Sequence, residues 1–297
     1  MPPTRRRPGA AFFMQKLYPL LFVFLWSTGF IGAKFGLPYA EPLSFLLVRY
    51  GIVIALMTAL AFATRAPWPK ERRQWAHIGI SGLLVHATYL GGVFVAIAHG
   101  LPAGVTALVV GMQPLLTALG AGWWLGERVS GRQWAGLALG FAGVVLVVSG
   151  KIAGGPALGP MLVPALVALL GITAGTLYQK RYCASFDLRA GSVIQFVPTA
   201  LVTAIAVALF EDFRIDWTPQ FGFALAWLVG VLSLGAISLL NLLIRGGSAV
   251  NVASLFYLTP PTTALIAWGF FGETLSPVAL GGMVLAVSGV YLVARGR

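Results

Sequence analysis

Long apolar stretches alternate with short polar, glycine-rich or proline-rich breaks along the whole chain. Each stretch is about 20 residues long, the length that a helix needs to cross the hydrocarbon core of a bilayer. The pattern predicts ten transmembrane helices, at residues 17–37, 44–63, 76–98, 102–125, 131–150, 160–181, 190–210, 221–244, 248–271 and 277–295. The breaks contain the residues that end helices and form turns. The chain is therefore expected to be an all-α integral membrane protein.

The composition supports this fold class and excludes several functions. Of the 297 residues 58% are hydrophobic and 9% are charged, whereas soluble domains carry about 25% charged residues. Ten spans leave no room for a separate catalytic or cofactor-binding domain. With one cysteine, three histidines and no HExxH motif, the chain offers few metal ligands. We expect no enzyme activity, no cofactor and no metal.

The basic residues predict the orientation in the membrane. The net charge is +12, and counting Lys and Arg on alternate sides of the ten spans gives 15 on one side and 2 on the other. Because cytoplasmic loops carry the excess of Lys and Arg, both termini are expected inside, with residues 1–16 as a basic cytoplasmic tail. This topological explanation of the charge leaves no reason to expect a nucleic-acid partner.

An internal repeat is the most informative feature of the sequence. Shifting the chain by 146 residues lays 103–150 over 249–296 without a gap, with 17 of 48 positions identical. We expect a first five-helix repeat at 17–150, a linker at 151–159 and a second repeat at 160–297. Because five is odd, the second repeat enters the membrane from the opposite side, which predicts an inverted-topology repeat. That architecture is typical of alternating-access transporters.

Several segments also resemble a known family. They are Leu25-Trp26-Ser27-Thr28-Gly29 running to Lys34, Arg49, Pro114, Leu125-Gly126-Glu127, Pro260 and Gly272-Glu273. These resemble the first, second, fourth and fifth helices of EamA-type transporters in the drug/metabolite transporter superfamily. The resemblance implies ten helices, a central cavity and export of small metabolites. Within the superfamily the chain is most similar to amino-acid exporters of the YddG type, which implies a bacterial inner membrane and substrates that include aromatic amino acids.

The acidic residues limit the possible coupling mechanisms. All eight lie in loops or at helix ends, whereas a carboxylate in mid-membrane usually marks a proton or sodium relay. Export is therefore expected to be uncoupled, or coupled through His86. Glu127 and Glu273 occupy equivalent turns of the two repeats. Capping of the next helix is the favoured interpretation, with gating as the alternative.

Polar and aromatic side chains inside the spans must face inward, because lipid cannot satisfy them. They predict an aromatic, hydrogen-bonding cavity that suits an amino-acid zwitterion. Its candidate residues are Trp26, Ser27, Arg49, His86, Tyr89, Gln113, Tyr178, Gln195, Asn241 and Tyr257. Two alternatives remain open: the small polar groups could simply join helices, and Arg49 could extend to the membrane surface instead of meeting a substrate carboxylate.

Two further patterns concern movement and assembly. Pro114 and Pro260 lie mid-helix at matching positions, and are either hinges or static kinks. Small-residue stripes, Gly136-xxx-Gly140 and Gly282-xxx-Ala286 with Gly289, either pack within the chain or form a dimer seam. We expect a monomer, with a dimer as the alternative.

The sequence is therefore interpreted as a membrane exporter of amino acids or related small metabolites that works by alternating access. The alternative is a broad-specificity exporter of drugs or hydrophobic cations. A carboxylate in the cavity would favour that alternative, and the sequence offers none in mid-span.

Overall fold

The structure is a computed structural model that describes residues 10–101, 103–152, 159–183, 185–271 and 275–296. Over these residues the chain is helical, and the one β pairing recorded there is a single bridge between Ala40 and Ile215. Among the described residues, nine helices are long and apolar enough to cross a membrane. A further helix at the start of the chain contains a shorter apolar stretch, Leu17–Gly29. The predicted all-helical membrane fold is confirmed.

The helices follow the predicted spans closely. We number them α1 (Ala10–Gly36), α2 (Pro42–Ala63), α3 (Arg72–Ala98), α4 (Ala103–Val110 and Gln113–Gly120, ending in Ala121–Leu125), α5 (Gly131–Ile152), α6 (Gly159–Tyr182), α7 (Leu188–Phe210), α8 (Pro219–Gly246), α9 (Ala249–Ser254, Leu255–Leu258 and Thr259–Phe271) and α10 (Pro277–Ala294). Helix α1 begins at Ala10, inside the segment 1–16 that the sequence predicts as a tail.

The packing of the helices follows the two repeats. Helix α5 packs against α10, and α2 packs against α7. Helix α1 packs against α8 and α9, while its counterpart α6 packs against α3 and α4. The same set of neighbours results when α1–α5 are exchanged with α6–α10. The two halves therefore interlock, and each supplies helices to the interior of the other.

The small-residue stripes form the contact between α5 and α10. A Cβ atom placed on Gly143 would lie 2.6 Å from the carbonyl oxygen of Gly282, and one on Gly136 would lie 2.7 Å from that of Gly289. Such distances leave no space for a side chain, so glycine is what lets the two backbones touch. The stripes are thus used within the chain, which decides between the two alternatives left open by the sequence.

Both predicted hinge positions coincide with breaks in a helix. In α4 the residues Gly111 and Met112 form a turn before a new segment begins at Gln113-Pro114. In α9 the 3₁₀ turn Leu255–Leu258 precedes the segment that begins at Thr259-Pro260. A proline has no backbone N–H and clashes with the preceding turn, so each helix is interrupted on the N-terminal side of its proline.

Helices α3 and α8 each contain a widened, π-helical segment. These segments are Leu83–Leu90 in α3 and Leu228–Ala236 in α8. Their last residues are 146 positions apart, the same spacing as the sequence repeat. Such segments are rare and frequently lie at functional sites. These two flank the cavity described next, whereas a third one, Ala121–Leu125 in α4, does not.

Candidate substrate cavity

A cavity of about 40 Å³ lies among α1, α2, α3 and α8. This volume would hold roughly three water molecules. Its walls come from both repeats and from both π-helical segments. The lining residues are Trp26, Gly29, Ala33, Arg49, Tyr89, Leu90, Val93, Phe94, Leu228, Leu232 and Ile237.

Arg49 is the charged residue of this wall. Its side chain is almost completely buried, with 2% of its surface exposed, so it does not extend to the membrane surface. Its Nε donates a hydrogen bond to the hydroxyl of Ser233 on α8, at 3.0 Å. Within the part of the chain that the structure describes, Arg49 forms no ion pair. A buried guanidinium without a carboxylate partner is costly, and an ionisable side chain inside a membrane usually marks a functional site.

Aromatic rings form the wall beside Arg49. The rings of Trp26 on α1 and Tyr89 on α3 are stacked, with centroids 6.2 Å apart and planes inclined by 12°. Phe256 on α9 meets Trp26 edge to face, with centroids 5.2 Å apart. Because stacked and edge-on pairs hold each ring in a fixed orientation, this wall is a preformed surface for an apolar or aromatic group.

No carboxylate balances the charge of Arg49 among the described residues. Seven of the eight acidic residues are described, and all seven lie outside the membrane-spanning helices; they are Glu41, Glu71, Glu127, Asp187, Glu211, Asp212 and Asp216. The eighth, Glu273, is outside the described residues. The described part of the cavity therefore carries a net positive charge.

Several of these carboxylates cap helices or loops of the opposite half. Glu211 accepts hydrogen bonds from the backbone N–H groups of Leu43 and Ser44, at 2.8 and 2.7 Å, and so caps α2. Glu41 in turn accepts from the N–H of Arg214, at 2.9 Å. Glu127 accepts from Ala249 N, at 3.1 Å. The capped helix is α9 rather than the next helix, which differs from the sequence expectation.

Asp187 caps its own helix. Its carboxylate accepts from the backbone N–H of Arg189 and is paired with the Arg189 guanidinium, at 2.6 Å between Oδ2 and Nη2. This hydrogen bond to the Arg189 side chain holds the pKa of Asp187 below its ordinary value. Asp187 and Glu41 are 146 residues apart, so repeat-related acids have taken different partners.

His86 and Gln195 form a second buried polar group, behind the cavity wall. Both are at most 1% exposed, and neither lines the cavity. The His86 ring stacks on Phe196, with centroids 4.2 Å apart, while its two nitrogens have no hydrogen-bond partner among the described residues. Gln195 Nε2 donates to Ser81 Oγ at 3.0 Å, and Tyr50 donates to the carbonyl of His86 at 2.9 Å. The group is closely packed between α2, α3 and α7.

The remaining predicted residues lie elsewhere in the helix bundle. Ser27 donates to the carbonyl of Val23 on its own helix, at 2.6 Å, and Gln113 donates to Thr117, at 3.0 Å. Asn241 accepts from Gln179, at 2.7 Å.

The last two predicted residues are both tyrosines. Tyr178 bonds to His77 near the end of α6, and Tyr257 packs on Gly140 of α5. The structure thus brings Trp26, Arg49 and Tyr89 together at the cavity. The other seven predicted residues lie in contacts within or between helices.

Several lining residues carry no polar signal in the sequence. Gly29 belongs to the repeat, but Leu228, Leu232 and Ile237 are ordinary apolar residues of α8. Ser233, the partner of Arg49, is one of many small polar residues within the spans. The repeat could have placed α8 beside α1 and α2, whereas nothing in the sequence indicates the π-helical segment that contains Leu228 and Leu232.

Comparison with known proteins gives a consistent result over the whole chain. The model of the EamA-like transporter family matches residues 15–149 and 159–295. An inner membrane transporter of Escherichia coli (strain K12), named YedA and described as uncharacterized, is 29% identical over 274 residues, covering 89% of this chain and 86% of the relative. A probable amino-acid metabolite efflux pump of Salmonella typhimurium is 27% identical over 285 residues, covering 92% of each chain.

A solved crystal structure shares the fold. It superposes with a TM-score of 0.77 over 96% of this chain and 99% of its own length. At 21% sequence identity, this likeness concerns the fold alone.

Proposed function

This chain belongs to the EamA-like transporter family, and we propose that it exports amino acids, including aromatic ones, through the cavity around Arg49. Membership of the family, which matches both repeats, makes the protein a transporter of small molecules rather than an enzyme. The similarity to a probable amino-acid metabolite efflux pump supports export as the direction and amino acids as the substrate class. The narrower resemblance to YddG-type exporters stays a prediction.

The observation that carries the proposal is the buried guanidinium of Arg49. A planar guanidinium forms two parallel hydrogen bonds with a carboxylate, and this geometry is both strong and specific. With its Nε held by Ser233, Arg49 lines a cavity in which no described residue offers a carboxylate. The substrate supplies the missing partner. Trp26 and Tyr89 then lie where a side chain of the bound amino acid would pack.

The arrangement of the repeats supports alternating access as the mechanism. Each repeat has five helices, so the second is inverted relative to the first, and exchanging the conformations of the two halves would open the cavity to opposite sides. A cavity of about 40 Å³ is smaller than an amino acid, so binding requires the surrounding helices to separate. The breaks before Pro114 and Pro260 are the places where we expect α4 and α9 to bend.

We place the protein in the bacterial inner membrane, as its relatives named inner membrane transporters indicate. The excess of Lys and Arg predicts that both termini are cytoplasmic. The α5–α10 contact uses the small-residue stripes within one chain, which supports a monomer.

The test is counterflow in proteoliposomes that contain the purified protein. Labelled phenylalanine, threonine and methionine are supplied outside vesicles loaded with the same unlabelled compound, with and without a pH gradient. Saturable accumulation that ignores the gradient would support an uncoupled amino-acid carrier, whereas accumulation that rises with the gradient would point to proton coupling through His86. No amino-acid flux from folded protein, together with flux of a hydrophobic cation such as tetraphenylphosphonium, would contradict the proposal.

A further inference from the structure

The charges around the cavity indicate which groups of a substrate the site binds. We infer that the carrier recognises apolar and aromatic monocarboxylates of net charge −1, and that the α-ammonium group of an amino acid is not part of the recognition. This inference rests on the proposed function, because it concerns the same cavity and the same transport cycle.

Charge balance favours a monoanion. Arg49 places one positive charge in a buried wall, and the seven described acids all lie outside the membrane-spanning helices. A monocarboxylate neutralises that charge. A zwitterionic amino acid brings no net charge and leaves the occupied site with an excess of one positive charge. Because an uncompensated charge is costly in a region of low dielectric, the monoanion is the better-matched ligand.

The polar side chains of the cavity wall are mainly hydrogen-bond donors. The guanidinium of Arg49 and the indole N–H of Trp26 only donate hydrogen bonds, and the phenol of Tyr89 is the one lining side chain that can also accept. Every other lining side chain is aliphatic, aromatic or absent. An ammonium group needs acceptors or a nearby negative charge, whereas a carboxylate needs donors. The side chains of this wall therefore fit a carboxylate.

The position of the α-ammonium group also disfavours an amino acid at this site. The α-ammonium of an amino acid is bonded to the carbon that bears the carboxylate, so it must lie close to whatever binds that carboxylate. At Arg49 the ammonium would approach a like charge that is 2% exposed and therefore poorly screened by water. Removing the amino group removes this repulsion while leaving the carboxylate and the aromatic ring in place.

The experiment compares three compounds in counterflow against labelled phenylalanine at pH 7.5. They are unlabelled phenylalanine, 3-phenylpropionate, which lacks the amino group, and phenethylamine, which lacks the carboxylate. The half-inhibitory concentration of 3-phenylpropionate is expected to be about 10-fold below that of phenylalanine, with little inhibition by phenethylamine. Labelled 3-phenylpropionate should itself show counterflow after subtraction of the flux into protein-free vesicles.

Two variants tie the preference to Arg49. In Arg49→Gln the advantage of 3-phenylpropionate over phenylalanine is expected to disappear, and in Arg49→Lys it should persist. This readout is a ratio measured on one preparation, so it does not depend on the yield of folded protein. Thr64→Ala, at the exposed end of the same helix α2, is the matched control and should keep the wild-type ratio.

The outcomes separate the inference from the proposed function. Counterflow of phenylalanine without inhibition or counterflow by 3-phenylpropionate would overturn the inference and leave amino-acid export standing. Counterflow of 3-phenylpropionate without flux of any amino acid would support the inference and contradict the proposed substrate. Absence of flux for every carboxylate tested, from protein shown to be folded, would overturn both.

Discussion

Arg49 on α2 and Gln195 on α7 lie 146 residues apart, at the same position of the two repeats. Each donates a hydrogen bond of 3.0 Å to a serine of the opposite half, Arg49 to Ser233 on α8 and Gln195 to Ser81 on α3. The two repeats thus use one scheme, in which the second helix of a repeat reaches a serine on the third helix of the other. Arg49 lines the cavity, whereas Gln195 does not.

The neighbours of the two residues explain the difference. Beside Gln195 the imidazole of His86 stacks on Phe196 and fills the space. The position 146 residues after His86 is Leu232, an aliphatic residue that lines the cavity near Arg49. The position of Arg49 is therefore part of a charged cavity wall, whereas the repeat-related position of Gln195 is a packed helix contact. Symmetry of the backbone supplies two equivalent positions, and side-chain chemistry makes a binding site of one of them.

The largest expected effect comes from a substitution that gives positions 49 and 195 the same charged side chain. Gln195→Arg places a second cation in a packed group where no described carboxylate can balance it, and we expect a loss of about 3–5 kcal/mol in unfolding free energy. Thermal unfolding in detergent, monitored as the fraction of protein that stays folded, measures this loss. Gln195→Met keeps the length without the charge and should unfold much closer to wild type. Wild-type stability of Gln195→Arg would mean that this site is hydrated rather than packed.

Changing Ser233, the hydrogen-bond partner of Arg49, should have a smaller effect, which we expect in transport. Ser233→Ala removes the hydrogen bond that holds Nε, and we expect the KM for an exported carboxylate to rise about 5-fold, corresponding to about 1 kcal/mol. Ser233→Thr keeps a hydroxyl and should recover part of the loss. An unchanged KM in Ser233→Ala would show that Arg49 is positioned by something else.

In the other repeat, the serine that binds Gln195 offers a matching change, which should affect stability and leave transport intact. Ser81→Ala leaves the Nε2 of buried Gln195 without its partner, at a cost of about 1 kcal/mol in unfolding free energy. The KM of folded Ser81→Ala protein is expected to match wild type. A rise in KM as large as that of Ser233→Ala would contradict the functional difference between the repeats.

The smallest expected effect comes from changing Asp187, the repeat-related counterpart of Glu41. Asp187→Asn keeps a side chain that can cap α7 but removes the ion pair with Arg189, so we expect a loss of about 0.5 kcal/mol. The pKa of Asp187 is lowered from 3.8 by that pair. Its stabilisation is therefore present above about pH 4 and is lost as the pH falls through the lowered value. Unfolding curves at pH 7 and pH 3 should differ in wild type by more than in Asp187→Asn.

Much of the fold could be predicted because it follows from burial in lipid. The length of the apolar stretches predicts the helices, and the 146-residue repeat predicts which helices of the two halves correspond. Pro114 and Pro260 lie at the helix breaks, where the missing N–H weakens the helix. Proline alone does not decide this, because Pro19, Pro164 and Pro198 lie inside continuous helices. The glycines of α5 and α10 marked a close contact, although sequence alone could not say whether it lies within one chain.

The cavity could be predicted only in part. A polar residue in a span must face the interior of the helix bundle. Hydropathy does not distinguish a polar side chain that joins two helices from one that lines a cavity. Trp26, Arg49 and Tyr89 line the cavity, while Gln113 and Asn241 bond to neighbouring side chains. Part of the cavity wall, on α3 and α8, has π-helical geometry. No composition or spacing in the chain indicates it.

The most direct test of the account compares the two repeat-related positions in one transport assay. Arg49→Gln and Gln195→Leu are reconstituted at equal amounts of folded protein, and counterflow of a labelled aromatic carboxylate is measured for each. Loss of a charged pair with the substrate is expected to lower kcat/KM about 100-fold in Arg49→Gln. In Gln195→Leu the change should stay within about 3-fold, because one neutral hydrogen bond away from the cavity is lost. Equal losses in the two variants would contradict the claim that Arg49 alone of this pair binds the substrate.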